Sequence, residues 1–333
     1  MIPDAKKDAV ARALREAFSV TGFEDFRMLT AGLSSALVSR IVVRGRPYLL
    51  CVILDAGAAP GPGRGDQTHH FACMNRAAAA GVAPRVWYTS TEDRVSITDF
   101  VEARPFSRTE ALARMPAILQ TLHALPPFAP PRNTISLDGF IQRFQAANIL
   151  PESETAELFE RYAPVPGVYP RDSEMVASHN DLKPENVLFD GDRVWLVDWE
   201  AAFLNDRYHD LAMVANFAVT NDADEGACLQ IYFGEAAGDY RLARFYLMRQ
   251  TLHMFYAIVF MLFGAAGKPI EPSGEPPDFR DLHNRIWSGE VSLASHEAKL
   301  QYARAHMNQA LQNMRTVRFQ DALRIISDRH AKA

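Results

Sequence analysis

Within Ser178–Glu200, SHNDLKPENVLFDGDRVWLVDWE, three side chains have the types and spacing that chemistry on a phosphate requires: Asp181, Asn186 and Asp198. Asp181 falls on a loop, Asn186 at the start of a predicted hairpin and Asp198 at its end. Folding the hairpin back therefore brings Asp198 beside Asn186, with Asp181 close by. Two oxygen ligands beside a third carboxylate suit phosphoryl transfer from a nucleoside triphosphate. In that chemistry magnesium takes oxygen ligands and bridges the phosphates, while a separate carboxylate orients the attacking hydroxyl and accepts its proton.

The elements that must hold these residues can be read outward from them. From Phe26 to Leu54 apolar and polar residues alternate around the turn RGRP (Arg44–Pro47), which predicts three short antiparallel strands. The Gly/Pro-rich run Ala56–Gly65 reads as a loop, and an Ala-rich helix over Asp66–Ala80 is stopped by Gly81. Arg85–Ser90 and Val95–Val101 add two strands. From Phe106 to about Tyr162 the pattern is helical, broken by the proline-rich Pro126–Pro131. The hairpin Val187–Trp199, turned at DGD, is the single interruption by strands. Everything from Tyr208 onward is helical apart from the loop Lys268–Asp278. The expectation is an α+β chain: a small antiparallel-sheet lobe with one helix over 1–102, holding the nucleotide, and a larger mainly helical lobe over 103–333, carrying catalysis and substrate.

His179-Asn180-Asp181 followed by Asn186, and then Asp198-Trp199-Glu200, resemble the protein-kinase-like superfamily of small-molecule kinases. Asn180, where aminoglycoside phosphotransferases commonly carry glycine, and the run DWEAAFLNDRYHDLA (Asp198–Ala212) resemble the choline/ethanolamine kinase branch. The resemblance is specific from about Ser178 to Ala212. It implies a bilobal kinase fold, ATP and Mg²⁺ as cofactors, Asp181 as the catalytic base, and Asn186 and Asp198 as the metal ligands. It places Lys183 as the phosphate-contacting lysine of the DLKPEN motif. His179 reads as a packing residue, and Asp210 as an anchor for the catalytic loop's backbone that caps or enters a helix, or else as an exposed carboxylate at a helix start. Glu200 reads as orienting substrate, assisting the metal, or pairing with an arginine.

The small lobe departs from that pattern. Such kinases hold the phosphates with a basic residue on the third strand, paired to an acidic residue on the next helix. Here the aligned strand position is Cys51, and the helix position falls at or next to His70. Lysine is scarce throughout: six residues, none between positions 8 and 182. Three readings follow: another cation (Arg40, Arg64 or Lys183) takes over the phosphate contact, the strand register differs, or the chain is a degenerate kinase that binds ligand with little turnover. For the nucleotide, AGLSSA (Ala31–Ala36) offers Gly32, Ser34 and Ser35 as a covering turn, and the backbone near Asp99–Val101 is the expected hinge that reads adenine. GPGRG (Gly61–Gly65) lacks the Lys-Ser/Thr of a phosphate-cradling loop, and adjacent His69 and His70 point apart on a helix, which argues against a metal pair.

Composition bounds the partners. A net charge of −5 with interspersed signs gives no footprint for nucleic acid. Three scattered cysteines form neither a disulfide framework nor a zinc site, which fits a reducing, cytoplasmic setting. The apolar stretch Thr251–Gly267 is at the lower limit for a membrane span and reads as a buried core helix. The acceptor should be a small molecule. Between Asn205 and Ala333, 15 acidic residues stand against 14 basic ones, without the acidic excess a polycationic aminoglycoside calls for. Aromatic residues abound there instead, and Tyr256 and Trp287, with Glu200, are candidate contacts for an ammonium group. Choline or ethanolamine is the leading expectation, an aminoglycoside or other small molecule the alternative. Oligomeric state has no signature in the sequence.

Overall fold

A computed structural model describes residues 2–29, 36–54, 67–130, 136–171, 173–270 and 274–330. The chain divides into two compact units. One comprises Met1–Glu110, Ala117–Thr134 and Met175–Asn205; the other Ala111–Pro116, Ile135–Glu174 and Asp206–Ala333.

In the first unit, helix α1 (Asp4–Phe18) buries the stripe Val10, Ala13, Leu14 and Phe18 and ends at Ser19 in the left-handed conformation. Strands β1 (Asp25–Met28), β2 (Ala36–Val43) and β3 (Arg46–Ile53) form the expected antiparallel run. Helix α2 (Gln67–Ala79) is followed by β4 (Val86–Ser90) and β5 (Val95–Asp99), giving a five-stranded sheet in the order β1-β2-β3-β5-β4. Arg44 and Gly45 both have positive φ, as a two-residue hairpin loop demands. Alternation then sorts the faces. Ile41, Val43, Leu50, Val52, Val95 and Ile97 form one core with α1, while Val38, Cys51 and Ser96, neighbours by register, share the other face. Gly81 has φ +73, the left-handed stop expected after α2.

The same unit contains the chemistry-bearing segment. Strand β6 (Met175–Ser178) leads into it, β7 (Val187–Phe189) and β8 (Val194–Leu196) form the hairpin, and β9 (Phe203–Asp206) leads out. Asp190 Oδ1 accepts from the N–H groups of Asp192 and Arg193 at 2.8 and 2.7 Å, the local bonding that makes DGD a turn. The hairpin is tied down by Leu196 N–H to Val82 O (2.9 Å) and Arg104 N–H to Phe189 O (2.6 Å). One expectation is corrected here: strands interrupt the helical region twice, because β6 and β9 pair as a second two-stranded sheet. Four-residue strands are too short to display a period, and closure of the loop between them sets their pairing.

The second unit is helical. Helix α3 (Arg108–His123), opened by a Ser107/Glu110 capping box, is divided between the units. Helices α4 (Leu137–Ala147), α5 (Glu152–Tyr162) and α6 (Val165–Val168) precede the loop segment. Helices α7 (Arg207–Ala218), α8 (Asp222–Phe233), α9 (Asp239–Ala265), α10 (Phe279–Trp287), α11 (His296–Met314) and α12 (Val317–His330) follow it. Helix α9 is the centre of this core, with Leu247, Met254, Ile258 and Met261 buried against residues of α4, α5, α11 and α12. It is long and apolar enough to cross a membrane by length and composition, and 61% of its apolar window is buried inside the protein.

Between α9, α10 and α11 lie three buried histidines, His253, His283 and His306. The Nδ1 atoms of His253 and His306 are 3.0 Å apart, so one ring donates to the other; His283 Nδ1 donates to Phe279 O at 2.8 Å. Burial lowers all three pKa values, that of His283 to about 3, and Arg280 adds to this for His253 and His283, as Arg249 does for His253. Folded values below the ordinary 6.5 mean that the stability contribution is complete above that pH and is lost as pH falls, because the unfolded chain takes up the protons. His283 alone should cost roughly 2 kcal/mol at pH 5, at about 1.4 kcal/mol per pH unit below 6.5. Urea midpoints measured between pH 7.5 and 5 should fall steadily below 6.5; a flat profile over that window would contradict neutral burial.

Candidate active site

Strand β6 delivers a fully buried His179 whose Nε2–H donates to Val197 O at 2.9 Å, while Nδ1 accepts the Asp181 N–H at 3.3 Å. One tautomer satisfies both bonds, and the ring packs on Trp199 at 4.7 Å between centroids. His179 is thus the packing residue expected of it. Asn180 follows with φ 64, a left-handed conformation that asparagine tolerates better than most residues. Its amide nitrogen donates to the carbonyls of Ser178, Ala201 and Phe203 (3.3, 3.1 and 3.3 Å), and its oxygen accepts from Asn205 Nδ2 at 2.7 Å.

The turn at Asn180 brings Asp181 to the surface of the loop. Asp181 Oδ2 accepts from Lys183 Nζ and from Asn186 Nδ2, both at 2.9 Å, and Asn186 Nδ2 also reaches Asp181 O at 2.8 Å. Pro184–Asn186 form a single 3₁₀ turn, which buries Asn186. Val197 N–H then donates to Asn186 O at 3.0 Å, so the far end of the hairpin returns beside the loop. The next residue, Asp198, has φ 66 and ψ 72, a conformation uncommon outside glycine. Burial raises the Asp198 pKa above the usual carboxylate value; Glu200 and Asp181 add to this, and Lys183 works against it. Burial alone would lower the Lys183 pKa, but the carboxylates of Asp181, Asp198 and Glu185 more than reverse that.

Three carboxylates around one lysine leave an excess of negative charge, which a divalent cation would relieve. Asn186 has its nitrogen engaged by Asp181, so the atom it can offer a metal is its oxygen, on the segment to which the Val197 N–H bond returns the chain just before Asp198. Among the described residues no group of three His, Cys, Asp or Glu side chains is arranged to hold a metal. An Asn/Asp pair fits magnesium, which commonly takes one or two protein ligands and fills its sphere with water and phosphate oxygens.

On the sheet side, Cys51 and His70 lie within electrostatic reach of Asp198. Burial first, then Asp198 and Glu200, push the Cys51 thiol up to about 12, and burial lowers the His70 pKa against the pull of Asp198. The strand and helix positions therefore carry neutral groups, as the residue types of Cys51 and His70 lead us to expect. Arg40 is engaged elsewhere, near Asp25 (3.5 Å) and Glu102 (3.8 Å) and over the ring of Phe100. Gly32, Ser34, Ser35 and Arg64 lie outside the described residues. Asp99 is tied into the sheet, its N–H to Arg85 O (2.8 Å) and its carboxylate accepting from Trp87 Nε1 (2.7 Å); Val101 lies on the irregular segment after β5.

Of the other expected residues, Glu200 sits in the 3₁₀ turn Trp199–Ala201. Tyr256 packs against Tyr302 and His306, and Trp287 against Phe217, in the helical unit. Asp210 enters α7 in its first turn and is wholly buried, which excludes the exposed helix-start carboxylate; the cap itself is Asp206, whose Oδ1 accepts the Tyr208 N–H at 2.9 Å. Two supports went unread. The Asn205–Asn180 bond had no motif to mark it, and His69 Nε2, 2.6 Å from Ala202 O, holds α2 against the turn that carries Glu200.

The family described as APH, phosphotransferase enzyme family, matches residues 27–246. Among curated proteins none matches the chain. The structure is similar to that of a choline/ethanolamine kinase family protein from Mesorhizobium loti, at 20% identity and TM-score 0.66, covering 97% of this chain and 99% of that one. It is similar to choline kinase LicA from Streptococcus pneumoniae at 14% identity and TM-score 0.56, covering 86% and 98%. It is also similar to a spectinomycin phosphotransferase bound to ADP and spectinomycin, at 10% identity and TM-score 0.54, covering 90% and 98%. At such identities the likeness is one of fold. The antiparallel sheet unit and the helical unit are thus the two parts of a kinase-like α+β fold, and the chain belongs to the APH phosphotransferase enzyme family.

Proposed function

We propose that this phosphotransferase moves the γ-phosphoryl group of ATP to the hydroxyl of a small amino alcohol, with choline or ethanolamine as the leading acceptor. The observation that carries the reading is the fixed carboxylate of Asp181, held by Lys183 and Asn186 with Asp198 one residue beyond the Val197–Asn186 bond. Asp181 orients the acceptor hydroxyl and takes its proton. Asn186 and Asp198 hold Mg²⁺, which when bound neutralises phosphate charge. Lys183 supplies the cation that β3 does not offer at Cys51. Glu200 contributes negative charge for an ammonium-bearing acceptor, with Tyr256 and Trp287 as aromatic candidates. Solved neighbours described as choline or ethanolamine kinases, and one holding ADP, support the choice of nucleotide and acceptor class. We place the reaction in the cytoplasm.

A second reading, a ligand-binding member with little turnover, is favoured by Cys51 and His70 at the ion-pair positions. A third is an aminoglycoside or other small-molecule acceptor. ADP release with Mg²⁺ should be measured across choline, ethanolamine, thiamine and aminoglycosides, with Asp181→Asn as blank. A signal above blank with choline or ethanolamine is the expected result. A signal confined to another acceptor would replace the amino alcohol, and no signal across the panel would favour the ligand-binding reading.

A further inference from the structure

Strands β6 and β9 flank the catalytic loop, and each is continued at the end away from the loop by an acidic residue: Glu174 immediately before β6, and Asp206 as the last residue of β9. Both carboxylates are taken by one guanidinium. Arg244 of α9, 1% exposed, donates through Nη1 to Glu174 and through Nη2 to Asp206 Oδ2 at 2.7 Å. The guanidinium lies over the rings of Tyr208 (4.6 Å) and Tyr169 (5.4 Å), and the Tyr169 hydroxyl donates to the same Asp206 oxygen at 3.0 Å. Arg207 N–H to Glu174 O at 3.3 Å closes the two chain segments further.

Arg244 is buried and Asp206 nearly so, while Glu174 is exposed and also 3.7 Å from Arg207 Nε, and a buried arginine–aspartate pair is a costly way to fill space. Replacing such a group with apolar side chains of similar volume often leaves stability unchanged or improved, so its use here calls for a reason beyond stability. The position of its partners supplies one. Asp206 is bonded through the chain to Asn205, Asn205 donates to Asn180, and Asn180 precedes Asp181. The geometry points to Arg244 as a positioning residue for Asp181: a bidentate clamp on the outer ends of β6 and β9 that sets the register of the two strands, and through Asn205 and Asn180 the placement of the carboxylate. Lysine cannot do the same, because a point charge on a flexible stem does not hold two carboxylates in a fixed fork.

The proposal rests on the phosphoryl-transfer reading for its kinetic consequence, so it is tested with one readout that needs turnover and one that does not. In the full chain, Arg244→Met and Asn205→Ala should each lower kcat about 10- to 100-fold, the scale expected when a reacting group is misplaced by about 1 Å. KM for ATP should stay within about twofold, since the lost contacts act on placement and not on nucleotide binding. The double variant should be no slower than the slower single, because both act on one linkage. Effects that multiply would show independent actions and overturn the proposal. Arg244→Lys, which keeps the charge, guards against a methionine variant that fails to fold. In it, backbone amides of residues 178–186 should exchange hydrogen faster than in the wild type while those of α11 and α12 do not change. Unchanged exchange at 178–186 overturns the proposal even if the wild type turns over no acceptor, a result that would count against the functional reading alone.

Discussion

Asp181→Asn should reduce acceptor-dependent ADP release by about 10²–10⁴-fold, the usual contribution of a positioned general base. The substitution suits the test because it is nearly silent structurally. Asn186 Nδ2 donates to Oδ2 and to the backbone carbonyl of Asp181, and an amide oxygen in place of Oδ2 accepts that bond equally well. The His179 and Asn180 bonds that shape the loop use other atoms. What disappears is the ion pair with Lys183 and the ability to accept a proton from the acceptor hydroxyl. The expected signature is a fall in kcat with KM for ATP little changed, and melting within a few degrees of the wild type. Turnover within about threefold of the wild type would remove Asp181 from the base role, since even the low end of the expected range is larger.

Lys183→Ala should be the second largest effect, about 10²-fold in kcat, comparable to removing one fixed donor from a transition-state site. Arg40→Ala, by contrast, should stay within about twofold, because surface ion pairs contribute little. The difference follows from what each cation faces. Lys183 is held among Asp181, Asp198 and Glu185, which raise its pKa despite burial, so it stays charged where phosphate charge would gather. Arg40 is half-exposed and turned toward Asp25, Glu102 and Phe100. Equal losses in the two variants, or wild-type turnover in Lys183→Ala, would defeat the idea that this lysine replaces the missing one on β3.

The local parts of the site were readable because their signals are short-range. Arg44-Gly45, Gly81 and DGD are backbone requirements written in residue type, and Arg44-Gly45 sets the β2–β3 register that brings Cys51 beside Val38. The hairpin that returns Asp198 to Asn186 spans only a dozen residues, so its closure follows from the turn. What could not be read depends on distant partners. Strands of four residues such as β6 and β9 carry no period, and their pairing is fixed by the loop between them. Asn205 and Asn180 are ordinary asparagines until that pairing joins them. His253, His283 and His306 come from three helices, and only packing shows that they meet. Asp206 and Asp210 are equally plausible helix starters by type, and four residues of register decide which one caps.

The left-handed backbone at Asn180 and Asp198 has a practical consequence for anyone seeking a hardier version of this protein. Both positions carry a side chain in a conformation that costs an L-residue about 1–2 kcal/mol, so a search ranked by strain would propose glycine at each. Glycine at 180 would remove four hydrogen bonds from the loop, and at 198 it would remove a carboxylate that helps to keep Lys183 charged. Positive φ at these two residues marks where improvement should not be attempted, while at Ser19, the left-handed residue that ends α1, the same substitution removes none of these bonds.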